Sequence, residues 1–332
     1  MAKKTYYMMK EIISLDKEAH KLIKEGRYKD AENKLKLALD LDDQNVYTLV
    51  GLGDINRKVK HFTEALHFYE KAIDIEPTNK YALAGLGDTY RGQKNIEKAL
   101  EFWNKYLTYN ENDYKIITRV ADGYRRLNNF EAAQTFYYKA LSINSEDTYA
   151  LMGLGNIYAI ARQDDKALEY YERLAGLSKN SVVVLTSIAN IYRNKKEFEK
   201  SLDYYEHAIE ISPRNIHAWN GKADCYRGFR DYQAAINAWQ RAIEFGMNAR
   251  VALTRIGDAY VSLEKLEEAE ETYIKAISHG YIKYAYLGLI KIYVKRNQIE
   301  DIRNAFNLLK RKEPDDPRII AEYNKFIENN GN

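Results

Sequence analysis

The chain has 332 residues, 45% hydrophobic and 30% charged, which places it with folded proteins and excludes a disordered one. Its 51 basic and 48 acidic residues leave a formal charge of +3, too balanced to indicate a polyanionic partner. With Cys225 as the one cysteine, intrachain disulfides are excluded and a cysteine-ligated metal is not expected.

Residues 1–20 are basic and contain Tyr6, Tyr7, Met8 and Met9, but no apolar run of the length a signal peptide needs. Nor does any later stretch approach the ~18 consecutive apolar residues of a transmembrane helix. A cytoplasmic location is the expectation. From about residue 12 a 34-residue period takes over: Gly or Ala stands at residues 19, 53, 87, 121, 155, 189, 223 and 257. Ala or Ser follows twelve residues behind each, at Ala31, Ala65, Ala99, Ala133, Ala167, Ser201, Ala235 and Ala269. A period of this length marks a solenoid, whose units bury a continuous core only by stacking on their neighbours.

Within one unit, residues 80–113, Leu83, Leu86, Gly87 and Tyr90 recur at i, i+3, i+4 and i+7 and define one face of a helix. A polar turn is expected over residues 92–95. Then Ile96, Ala99, Leu100, Trp103 and Leu107 mark the apolar face of a second helix. Small residues at Gly87 and Ala99 let the two backbones approach, and Tyr90 and Trp103 fill the space between layers. Pro77 and Pro213 stand where one unit ends and the next begins, in keeping with their inability to continue a helix. Tyr106, Leu174 and Lys222 depart from the internal pattern. At the ends the pattern frays as a solenoid should: Glu18 occupies a core position of the first unit, and Ile290 and Ile302 replace the small pair of the ninth. Beyond Pro314 and Pro317, the residues Ile319, Ile320, Tyr323, Phe326 and Ile327 predict a closing helix over about 317–330, with a docking helix for another protein as the alternative.

The order Leu83, Leu86, Gly87, Tyr90, Ala99, Trp103, repeated as Leu151, Leu154, Gly155, Tyr158, Ala167, Tyr171, resembles the tetratricopeptide repeat, as do the unit ends Ala72–Pro77 and Ala208–Pro213. The resemblance spans nearly the whole chain. It implies an all-α, right-handed superhelical solenoid over residues 1–332, with repeats starting near 12, 46, 80, 114, 148, 182, 216, 250 and 283. About sixteen residues fall outside the repeats, which leaves no room within this length for a separate catalytic domain.

In the resembled family the first helix of each unit lines a concave groove, with the second, fifth, sixth, ninth, twelfth and thirteenth positions exposed. Carried over, the ninth position reads Asp54, Asp88, Asp122, Asn156, Asn190, Asp224 and Asp258 in the second to eighth units. The twelfth supplies Arg57, Arg91, Arg125, Arg193 and Arg227, three residues further on and so on the same helix face. Tyr47, Tyr81, Tyr149 and Tyr284 occupy the second position, and Arg119 a sixth. Two readings of this ladder are compatible: side chains that bond the main chain of an extended peptide, or internal pairs that set the pitch of the solenoid. In the fifth unit Met152, Asn156, Ala159 and Ile160 interrupt it with an apolar patch, read either as an anchor site for a bound side chain or, with the greater weight, as core residues of a re-phased helix. The glycines at the sixth position, Gly51, Gly85, Gly153 and Gly221, are expected to leave the groove wall bare. Of a carboxylate clamp for acidic C-termini only Lys115 and Arg119 match; Val50, Asp54 and Gly85 stand where the other groups are needed.

No enzyme motif survives inspection. The Gly-Leu-Gly triplets at 51–53, 85–87 and 153–155 lack a third glycine and lie inside helices, so they are not dinucleotide fingerprints. The six histidines show no metal-ligand spacing, and Cys225 reads as a packed core residue. The sequence therefore predicts a scaffold without cofactor or metal that binds a protein or peptide segment. Nucleic acid is the runner-up partner, through arginines and tyrosines that could track phosphates and stack bases, with the accompanying aspartates against it.

Overall fold

The structure, a computed structural model, describes residues 2–178 and 180–330, the side chains of 2–6, 329 and 330 excepted. Among these residues the regular structure is nineteen helices in tandem hairpins, divided into two compact units, Met1–Leu177 and Ser178–Asn332. The first unit holds the hairpins α1 (Ala2–Lys24) with α2 (Tyr28–Leu41), α3 (Val46–Lys58) with α4 (Phe62–Ile75), α5 (Lys80–Gly92) with α6 (Ile96–Tyr109), α7 (Tyr114–Arg126) with α8 (Phe130–Ile143), and α9 (Thr148–Ile160) with α10 (Asp164–Leu177). The second holds α11 (Val182–Asn194) with α12 (Phe198–Ile211), α13 (Ile216–Gly228) with α14 (Tyr232–Glu244), α15 (Ala249–Ser262) with α16 (Leu266–Ser278), α17 (Lys283–Lys295) with α18 (Ile299–Lys312), and the last helix α19 (Pro317–Asn330). None of the described helices is long and apolar enough to cross a membrane.

Local chemistry starts and stops each helix. Asn45, Asn79, Asp113, Asp147, Asn215 and Asn248 cap the first helices by accepting from a backbone N–H two or three residues on. Each turn within a hairpin closes through one residue in the left-handed region: Gly26 at φ 77° in the first, then Lys60, Lys94, Asn128, Arg162, Lys196, Arg230, Glu264 and Asn297, with φ between 57° and 65°. A backbone N–H bonds back to the carbonyl five residues earlier, as in Asn95 N to Tyr90 O at 2.9 Å, so the chain reverses and the second helix folds back on the first.

Between the two helices of a hairpin the small residues are fully buried: Ala19 on Ala31, Ala121 on Ala133, Ala223 on Ala235. Ser201 fills the same place in α12 by donating its hydroxyl to Ala189 O at 2.8 Å, and buried Cys225 donates to the Ser201 oxygen at 3.2 Å. From several second helices a buried tyrosine ring then spans to the next hairpin. Tyr69 is the clearest case: a Cβ on Gly53 would lie 2.6 Å from its ring, and one on Gly85 would overlap it. Tyr137 covers Gly153, Tyr205 covers Gly221 and Tyr273 covers Gly288 in the same way, and a Cβ on Gly51 would reach Leu35 at 3.0 Å. The expectation of a bare groove wall at the sixth-position glycines is thus corrected. These glycines admit a side chain of the preceding repeat, not a ligand backbone.

The ends differ from the interior. Helix α1 begins at Ala2, about ten residues before the expected repeat start. Glu18, expected at a core position, is exposed and pairs with Lys34 of α2 at 2.7 Å, which keeps its charge in solvent. At the other end Ile290 and Ile302 are buried with Phe306, Leu309, Ile319 and Phe326. The larger residues fill the space against α19, so its apolar face is occupied by the chain's own core; Ile320 alone of the five predicted contacts points to solvent, 41% exposed. Asp316 fastens this helix, capping it through the N–H groups of Arg318 and Ile319 and pairing with Lys283 at 2.6 Å. Of the internal departures, Tyr106 and Leu174 are buried, the Tyr106 hydroxyl donating to Asp113 at 2.6 Å. Lys222 pairs with Glu206 at 2.8 Å over the Trp219 ring.

Candidate functional site

The ninth-position residues take their geometry from the buried tyrosines. The hydroxyls of Tyr69, Tyr171, Tyr205 and Tyr273 donate to Asp54, Asn156, Asn190 and Asp258 at 2.6–2.8 Å. Each bond satisfies a phenol whose ring is inside the core and whose oxygen sits at its edge. Burial, and then the Asp54 charge, push the Tyr69 phenol far above its ordinary range, and burial with Asp122 pushes Tyr137 up to about 12, so both remain donors at neutral pH. The arginines pair with the same acids. Arg57 lies 3.0 Å from Asp54 and Arg125 2.6 Å from Asp122 on one helix; Arg119 reaches Asp88 at 2.9 Å and Arg193 reaches Asp224 at 3.4 Å across neighbouring helices. Burial alone would raise the Asp122 pKa, but the guanidiniums of Arg125 and Arg126 outweigh it and hold the carboxyl below its usual range.

Tryptophan replaces the tyrosine twice, at Trp103 and Trp239. There no phenol reaches the ninth-position acid, and the sixth position of the next repeat is an arginine in place of glycine, Arg119 and Arg255. Asp88 accordingly gathers Arg57 (3.8 Å), Arg91 (3.4 Å) and Arg119 (2.9 Å). Asp224 gathers Arg193 (3.4 Å), Arg227 (3.1 Å) and Arg255 (3.6 Å). Neither feature is legible from a unit-by-unit scan; both follow once the tyrosine, the acid and the next glycine are read as one set.

In the first unit the faces of α5, α7 and α9 form a groove of about 670 Å³. Seven of the predicted residues line it: Arg91, Arg119, Asp122, Arg125, Tyr149, Met152 and Asn156. Tyr47, Asp54, Arg57, Tyr81 and Asp88 belong to the same unit but lie outside its lining, and Asn190, Arg193, Asp224, Arg227 and Asp258 belong to the second unit. Lining residues not named among the site residues include Thr118 and Arg126, at the fifth and thirteenth positions, with Tyr114, Tyr137 and the turn residues Asn144, Glu146 and Asp147. The turn group was missed because the expectation followed first helices only; a cap residue such as Asp147 stands at the mouth of the next helix. Lys115, Arg91, Arg119, Arg125 and Arg126 face Asp122, Glu146 and Asp147 here, so the lining is net basic. Tyr149 is 78% exposed at the rim and Met152 is half-buried. The core reading of the fifth-unit patch is corrected: Ile160 is 62% exposed, since the helix keeps its phase, with Ile157 and Tyr158 turned inward. Arg119, one of the two clamp-like residues, is already bonded to Asp88.

Tetratricopeptide-repeat family models match residues 57–115, 120–182, 182–215 and 251–278, and the chain belongs to this family. Among solved structures it is similar to the C-terminal part of a TPR repeat-containing protein from Cytophaga hutchinsonii, with a TM-score of 0.62 and 19% identity over 71% of this chain and 97% of that one. A tetratricopeptide repeat protein from Parabacteroides merdae gives 0.55 and 19% over 75% and 99%. The APC/C hetero-tetramer Cut9-Hcn1 gives 0.53 and 16% over 83% of this chain and 54% of that one. At these identities the likeness is one of fold. No curated protein matches the sequence.

Proposed function

We propose that the chain is a non-catalytic scaffold that holds an extended segment of a partner protein in the groove of α5, α7 and α9. The observation that carries this reading is the lining itself. Five cationic side chains outnumber three carboxylates, beside an exposed tyrosine and a half-buried methionine. Arg125 and Arg126 share Asp122, Arg91 and Arg119 share Asp88, and Asp147 is engaged by the Thr118 hydroxyl, so a ligand acid would meet the guanidinium donors that each shared carboxylate leaves over. A segment carrying acidic and apolar side chains fits that surface, the acids meeting guanidinium donors and the apolar group covering Met152.

The test is affinity purification of partners by wild-type protein and by a Tyr149→Ala/Met152→Glu variant, followed by titration of any recovered partner. Both side chains are accessible, so the variant should melt as the wild type does. An affinity reduced at least about tenfold, equivalent to about 1.4 kcal/mol, is expected for a groove ligand. A partner bound equally by both proteins would place the contact elsewhere and sink the groove reading.

A further inference from the structure

The surroundings of Asp224 carry more positive charge than the fold requires. Asp88 apart, the other acids at the ninth position take one or two side-chain partners: Tyr273 for Asp258 at 2.6 Å, Tyr69 and Arg57 for Asp54, Arg125 and Arg126 for Asp122. One guanidinium would balance Asp224. Three converge on it, and the second and third repel each other for no gain in neutrality. Exposed pairs of this kind contribute only about 0.2–1 kcal/mol each, a weak reason to assemble three.

We propose that Arg193, Arg227 and Arg255 form a receptor for a phosphomonoester dianion carried by a side chain of a partner protein. The excess charge is +2, which a phosphorylated serine, threonine or tyrosine neutralises. Asp224 lies at the base with its side chain 10% exposed, while those of Arg193, Arg227 and Arg255 are 25%, 54% and 34% exposed. The guanidiniums are therefore gathered from below and open above. Their bonds to the acid are loose: Asp224 Oδ1 has no aligned hydrogen bond although Arg227 lies 3.1 Å away. Each guanidinium carries five N–H donors, most of them uncommitted to Asp224, and the shared acid reduces the ordering that binding would otherwise require. Arg255 is further steadied by donating to Asn220 at 2.7 Å. The nearby acids are engaged, Asp258 by Tyr273 and Glu206 by Lys222.

The triad around Asp88 is the same construction four repeats earlier, with one difference that sets the ligand charge. There Asp54 lies 3.0 Å from Arg57 and cancels one of the excess charges. The corresponding position in the second unit is the neutral Asn190, bonded to Tyr205 at 2.7 Å. The dianion site is therefore the one in the second unit. A discrete pocket of charge with a carboxylate at its centre also suits a single phosphate better than the continuous backbone of a nucleic acid, which demands a basic track. The inference concerns the second unit and does not depend on the groove reading.

The test uses the full chain and immobilised degenerate peptides bearing phosphoserine, phosphothreonine or phosphotyrosine at one position, with matched unmodified and glutamate peptides. Retention of the phosphorylated set at least about tenfold above the unmodified set is expected. Arg227→Gln/Arg255→Gln should abolish the difference, and Asn190→Asp, which keeps the Tyr205 bond and every arginine, should weaken it several-fold. Thermal melts establish that each variant folds, and Asn190→Asp serves if the double variant does not. Equal retention of phosphorylated and unmodified peptides, or unchanged binding by both variants, would overturn the proposal. So would equal retention of the glutamate peptides, which would make the site a receptor for carboxylates, or displacement of the phosphopeptides by polyuridylate through the same arginines, which would assign it to nucleic acid.

Discussion

Tyr69 touches glycines of two successive repeats while its hydroxyl holds an aspartate at the surface, so one side chain sets interhelical distance and surface charge together. The glycine beneath it is required by packing. Gly85→Ala places a methyl group inside the Tyr69 ring and should destabilise the protein by about 1–3 kcal/mol. Gly176→Ala, in α10 with nothing within 4 Å of the new carbon, should instead stabilise it by up to about 1 kcal/mol. Urea unfolding of the two variants checks both signs, and a silent Gly85→Ala would refute the packing account. Asp16 is a second residue with a definite expectation. It is buried and accepts from the Thr48 hydroxyl at 3.1 Å, and burial raises its pKa above the ordinary 3.8 despite that bond and His20. A folded-state pKa above the unfolded one means that the group favours folding when protonated, below the unfolded value, and that this contribution is lost as pH rises through the folded value. The charged form is thus a liability at neutral pH. Asp16→Asn retains the acceptor for Thr48, and its urea midpoint should exceed that of the wild type at pH 7 and approach it below about pH 4. An equal difference at both pH values would exclude the effect.

At the scale of the element, the turns within hairpins are the informative places. Lys94 and Lys196 adopt φ of 64° and 63°, a conformation that is unfavourable for any residue with a Cβ and natural for glycine. Lys94→Gly and Lys196→Gly should each stabilise the protein by about 0.5–1 kcal/mol, read from urea midpoints, since the first hairpin already uses Gly26 at φ 77° for the same turn. Helices were legible in the sequence because apolar residues at i, i+3, i+4 and i+7 need no knowledge of the partner helix, and the caps Asn79 and Asn95 announce where each begins. The left-handed turn residue was not legible, since lysine, arginine, asparagine and glutamate fill it without a common chemistry.

In a repeat protein, stability is a sum of units and nearest-neighbour contacts, so a hairpin with one neighbour opens more readily than one with two. The start of α1, which reaches beyond the body of its repeat, and α19, fastened by Ile319, Phe326 and the Lys283–Asp316 pair, meet this condition. Hydrogen exchange should therefore release α1 and α19 first and protect α5 and α13 longest. A single exchange rate for all helices would show instead that the chain unfolds as one cooperative body.

The periodicity of Gly53, Gly87 and Gly155 against Ala65, Ala99 and Ala167 was sufficient for the helix hairpins and their register, because a helix buries a face that its own sequence defines. The residues at that spacing resemble the tetratricopeptide repeat, and the matching family models show the membership. What a given groove residue does was beyond that reach. Gly85 is lined by a tyrosine of the preceding hairpin, Ile160 is turned to solvent, and Asp224 is surrounded by arginines from three separate helices. Such contacts join residues about half a repeat to nearly a full repeat apart, as Tyr69 with Gly85 and Arg193 with Asp224, and their charge balance depends on which ring, tyrosine or tryptophan, a hairpin supplies.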